Sequence, residues 1–112
     1  MITELEKNVA ELEMRRAVLS AKHSGLGNRR QAEQAAIKAV VRYKLAKAEN
    51  TIAIADMQRD KSSRAYRAMM QTVDRELFTA QDMITAAKAG ASLAQIRRIE
   101  KPSALKTSIE YR

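Results

Sequence analysis

The chain reads as an all-α protein, and three observations predict this. The 62 residues from Asn28 to Ala89 contain no glycine and no proline, and in a helix interior these cost about 1 and about 3 kcal/mol. Ala, Lys, Arg, Glu, Gln and Met, the strong helix formers, dominate that stretch. Its apolar residues recur in steps of three and four, the period of one helix face. The expected architecture is a coiled-coil helical hairpin or a three-helix bundle, with long helices and a short C-terminal helix. One domain over residues 1–101 carries it, followed by a tail over 102–112.

The first helix is expected over about 3–23. Thr3 and Glu6 have the Thr-x-x-Glu spacing of a capping box, in which each side chain bonds the other's backbone amide. Ile2, Leu5, Val9, Leu12 and Leu19 follow in alternating steps of three and four, an a/d seam with Arg16 and His23 at two a positions. A polar residue in a seam weakens pairing and fixes register, so Arg16 is expected to set register. Glu4 and Glu6 suit the positive end of the helix dipole, and Arg15, Arg16 and Lys22 its negative end.

Ser24-Gly25-Leu26-Gly27-Asn28 should end this helix. Its two glycines are expected to supply left-handed backbone, and Asn28 to cap the next helix. So short a link argues for an antiparallel hairpin.

The second helix is expected over 29–60, with a seam of Ile37, Val40, Val41, Leu45, Ala48, Ile52 and Ala55. A polar window, Gln58-Arg-Asp-Lys-Ser-Ser-Arg64, follows, and the seam resumes as Tyr66, Met69, Val73, Leu77, Ala80, Ile84 and Ala87. An unbroken helix through the window would reach roughly 93 Å with little to pack against. A cap at Ser62 or Ser63 opening a third helix over 63–89 is therefore favoured. Gly90 should stop that helix. Ser92-Leu-Ala-Gln95, another capping box, opens a short helix over 92–100, which Pro102 closes.

Composition narrows the function. A chain of 112 residues with 4% aromatics and six methionines builds thin helix–helix seams rather than a thick core. A homo-oligomer or a helical protein partner is expected to complete the burial. The contacts would run through Leu5, Val9, Leu12, Arg16, Leu19, Tyr66, Met69, Val73 and Leu77. The absence of Cys excludes disulfides, thiolate catalysis and cysteine-ligated zinc. The single His23 has no carboxylate at i±3 or i±4, and no glycine-rich phosphate loop follows a strand. No catalytic residue, metal or cofactor is expected, and the protein is read as not an enzyme. There is no apolar leader and no apolar run long enough for a bilayer, Thr51–Ala55 being among the longest. A cytoplasmic or otherwise soluble protein is expected, with no signal peptide and no transmembrane segment.

Net charge is +8 with a pI near 10.1. Residues 1–27 hold four bases and four acids, so the excess lies further on. Basic surfaces attract nucleic acid, anionic membranes or acidic proteins. Mixed charge on the polar faces and the lack of Trp argue against the membrane.

At the hairpin tip, Lys22 is ordinary dipole compensation. Arg29 and Arg30 fall in the first turn of a helix, where positive charge is disfavoured and free amides attract anions. Either an anionic partner docks there, or Arg29 pairs with Glu33 one turn on.

Near the C-terminus, Ala86, Gly90, Ile96 and Ile99 have the spacing of a helix-turn-helix core: a small residue at the crossing, Gly at the turn, then two buried apolar residues. The segment resembles that motif over about 20 of 112 residues, with Thr85 departing from the usual apolar residue. The resemblance implies a recognition helix Ser92–Arg98 with Ser92, Gln95, Arg97 and Arg98 facing DNA. The alternative is a segment folded back on the bundle. The functional expectation is a non-enzymatic helical assembly or adaptor protein. Its alternative is a basic protein that binds nucleic acid through the tip or this segment.

Overall fold

The computed structural model describes residues 2–25 and 27–100. The tail 102–112 with Pro102, Leu26 of the link, and the side chains of Ile2, Thr3 and Glu100 lie outside the described residues. The first capping box and the first seam residue fall there. Four helices are formed: α1 (Ile2–His23), α2 (Arg29–Asp56), α3 (Arg64–Lys88) and α4 (Leu93–Glu100). No strand occurs among the described residues.

The polar window does break the long helix, four residues earlier than the expected end at 60. Polar side chains make the turn without glycine or proline. Asp60 accepts hydrogen bonds from the amide and the hydroxyl of Ser62, and the Ser63 hydroxyl accepts from the Tyr66 amide at 3.1 Å. Such local bonds offer the backbone an alternative to the helical ladder. The two Ser62 bonds hold the Asp60 carboxyl below its usual range. The turn therefore has this support in full above the ordinary carboxylate range, and loses it as pH falls through the lowered value. The break keeps the longest dimension to 54 Å.

α2 is the central element. Glu13 reaches Arg42, and Leu5 shares a groove with Glu49, so α1 runs antiparallel to α2. Lys44 and Lys47 meet Glu76 while Ile37 lies beside Ile84 and Ala87, so α3 is antiparallel to α2 as well. No Cα of α1 comes within 8 Å of one in α3 or α4 among the described residues. Both long neighbours rest on α2, and the molecule is a slab 20 Å thick. One cluster ties all four helices together: Met14, Ile37, Val40, Met83 and Ile96.

Two expected seams are placed differently. α1 buries Ala10, Met14 and Ala21, and short side chains let helix axes approach closely. The larger residues face outward: Leu5 is 64% exposed, Val9 46%, Leu12 64% and Leu19 55%, with Arg16 exposed among them. α1 carries two apolar stripes, and the smaller-residue stripe takes the intramolecular contact.

In α3 the partly or fully buried line is Tyr66, Met69, Val73, Glu76, Ala80, Met83 and Ala87, an unbroken three–four alternation. It runs through Glu76 rather than Leu77, which is 43% exposed. Glu76 Oε2 lies 3.1 Å from Lys44 Nζ, and Oε1 lies 3.5 Å from Lys47 Nζ. Glu76 Oε2 has no hydrogen-bond partner, so the Lys44 contact is an ion pair without a directed hydrogen bond.

Two turn expectations are also corrected. The left-handed backbone falls on Gly90 (φ 92°), not on Gly25. Asn28 occupies the N-cap of α2, yet its side chain makes no capping bond and only its carbonyl accepts, from Ala32. Gly90 closes α3 in a Schellman motif: the Gly90 amide donates to the Ala87 carbonyl and the Ala91 amide to the Ala86 carbonyl, each at 3.0 Å.

Candidate functional site

Two surfaces stand out. The first is the outer stripe of α1, whose Leu5 and Val9 also line a groove of about 520 Å³ against Leu45 and Ala46 of α2. Glu6, Glu13, Glu49 and Arg42 line the same groove. Among the described residues no group of His, Cys, Asp and Glu has metal-binding geometry, and no helix is long and apolar enough to cross a membrane.

The second surface lies where the end of α1, the start of α2 and the start of α4 meet. The Schellman turn reverses the chain, and the capping box at Ser92 opens α4 as its sequence requires. The Ser92 amide donates to Gln95 Oε1 at 2.8 Å, and the Gln95 amide to the Ser92 hydroxyl at 3.3 Å. A third element joins from α2: Glu33 accepts a hydrogen bond from the Leu93 amide. A carboxylate there satisfies an orphan amide and suits the helix dipole. Glu33 is thereby turned toward α4 rather than into an ion pair with Arg29.

This docking makes two clefts, one on each side of the start of α4. The first, about 640 Å³, has Lys22, Arg29 and Arg97 around a floor of Val18, Ala21 and Leu93. The second, about 650 Å³, has Arg30, Lys38 and Lys88 around Ile37, Ala87 and Ala91. Glu33 lines both and is the one acid in either among the described residues. Lys22, Arg29 and Arg30 form no ion pair among the described residues. The tip and the C-terminal segment, two separate features of the sequence, are thus brought to one place.

The helix-turn-helix expectation fares differently by residue. Ile96 is fully buried, and Ala86 and Ile99 pack against the same cluster. Ser92 and Gln95 are engaged with each other's backbone. Arg97 is half-buried, with Nη1 3.6 Å from Met14 Sδ, while Arg98 is exposed. Ser92, Gln95 and Arg98 are exposed, and Arg97 is turned toward α1. The segment packs back on α1, α2 and α3.

Reading the sequence missed Glu76 and gave Glu33 only as a partner for Arg29, not for α4. A strict three–four count through α3 reaches position 76, so the signal for Glu76 was present. Glu33 acts across sixty positions of chain, and nothing local announces it. No protein-family model, curated protein or solved structure matches this chain.

Proposed function

We propose that the chain is a non-enzymatic helical assembly protein, and that the outer stripe of α1 pairs with a second copy through coiled-coil contacts. The observation that carries this is the exposure of Leu5, Val9, Leu12 and Leu19 at strict a/d spacing on a helix already docked by its other face. The flanks of the stripe support the choice of occupant. Glu6 and Glu13 lie on one edge at e positions, and Arg15 and Lys22 on the other at g positions. Parallel pairing sets the acidic edge of one copy against the basic edge of the other, whereas antiparallel pairing sets like against like.

Sedimentation equilibrium tests this. The native chain should rise from monomer to dimer mass with concentration. A Leu12→Glu, Leu19→Glu variant should stay monomeric, because losing two leucines from the contact costs at least about 3 kcal/mol, more than about a hundredfold in dissociation constant. Both side chains are exposed in the monomer, so its helical content should not change. Arg16→Leu should strengthen association and raise Tm only at concentrations where dimer forms. A native chain that is monomeric at every concentration would overturn self-assembly.

A further inference from the structure

We infer that the end of the molecule around the start of α4 docks on the phosphate backbone of duplex nucleic acid, through charge and without reading base sequence. The inference uses none of the stripe residues, so it stands apart from self-association. Lys22, Arg29 and Arg97 surround one cleft, and Arg30, Lys38 and Lys88 the other. The single acid among them in the described residues, Glu33, holds the Leu93 amide, so its charge is engaged inside the fold. Bases spread over both sides of one short helix match a row of phosphates better than one small anion. Three of the six are arginines, whose planar fork fits phosphate oxygens in pairs.

The same geometry limits what can be read. Ser92 and Gln95, the polar side chains at the start of α4, are closed into the capping box. Contacts to phosphate position a protein, and contacts to base edges specify sequence. A single strand fits less well, because it binds through aromatic stacking platforms. Tyr43 and Tyr66 sit beside Lys47 and Lys61, Phe78 lies in the middle of α3, and none of the three lines either cleft. A bilayer would need an apolar anchor, and among the described residues no exposed large apolar side chain lines the clefts.

The test is an anisotropy titration with short duplexes of two unrelated sequences, at low salt and at fourfold higher salt. Three proteins are compared: the native chain, Lys22→Glu/Arg29→Glu/Arg30→Glu, and Arg59→Glu/Arg64→Glu/Arg75→Glu, which changes net charge equally on distant residues. Acids are favoured at the start of α2, which offsets the loss of dipole compensation from Lys22→Glu at the end of α1, and circular dichroism checks that the first variant keeps its fold. Should it unfold, Arg29→Gln/Arg30→Gln replaces it.

With about six phosphates contacted, native affinity should fall about a thousandfold over the fourfold rise in salt. The cleft variant should lower the log–log salt slope by about 2.7, while the distant variant changes it little. The two sequences should bind alike. The proposal is overturned by no duplex binding at low salt, by equal loss in both variants, or by strong preference for one sequence. Tighter binding to polyglutamate or to anionic vesicles than to duplex would also overturn it.

Discussion

Replacing Glu76 with alanine should cost about 3 kcal/mol of folding stability, a large part of the roughly 5–15 kcal/mol that holds a domain together. Glu76 sits in the α2–α3 seam with its side chain 14% exposed, against Lys44 at 10%. Removing the carboxylate leaves the Lys44 ammonium in a dry contact with no counter-charge. Lys47, at 38%, can turn to water. The cost therefore falls on Lys44. Lys44→Met combined with Glu76→Leu should recover most of the loss, because apolar side chains of similar volume often replace a buried ion pair without penalty. Urea unfolding measures both, with an unchanged m-value showing that the transition is comparable. A loss below about 1 kcal/mol for Glu76→Ala would mean that solvent reaches the pair, and this account would fail.

Ile96→Ala should be comparably costly, at about 2–5 kcal/mol, the range for a fully buried isoleucine. Ile96 is completely enclosed by the cluster that also holds Met14, Ile37, Val40 and Met83. A helix of eight residues is unstable alone, so α4 exists because this side chain and the Glu33 bond hold it. Helicity should drop by about the length of α4, and the two basic clefts should disappear with it. An Ile96→Ala chain that melts like the native one would show that α4 contributes nothing to the fold.

The elements whose identity depends on nearby residues were legible in the sequence. The capping box at Ser92 and Gln95, the stop at Gly90 and the cap at Ser63 each work within a few positions of chain. What depends on choosing between faces was not legible. α1 offers Leu5, Val9, Leu12 and Leu19 on one side and Ala10, Met14 and Ala21 on the other, with spacings equally good for a helix. Side-chain size pointed to the first, while close backbone approach selected the second. In α3 hydrophobicity pointed to Leu77, although position 76 keeps the period. Of the second surface, Arg29, Arg30 and Arg97 were legible as charges. Their convergence was not, because it depends on how α4 folds back over α2.

α1 rests mainly on α2, and this has a kinetic consequence. α2 is braced from two sides, whereas beyond α2 the helix α1 meets the rest of the described fold through one buried side chain, Met14, which shares the cluster with Met83 and Ile96 and lies beside Arg97. The face it would uncover is Ala10, Met14 and Ala21, and only Met14 among these has a large apolar surface. Its departure thus needs less free energy than global unfolding. Native-state hydrogen exchange should show the α1 amides opening together as one unit, well before those of α2, and the link around Gly25 would be the pivot. A protein joined in this way is expected to open first along the α1–α2 seam, with Met14 leaving the shared cluster as it does.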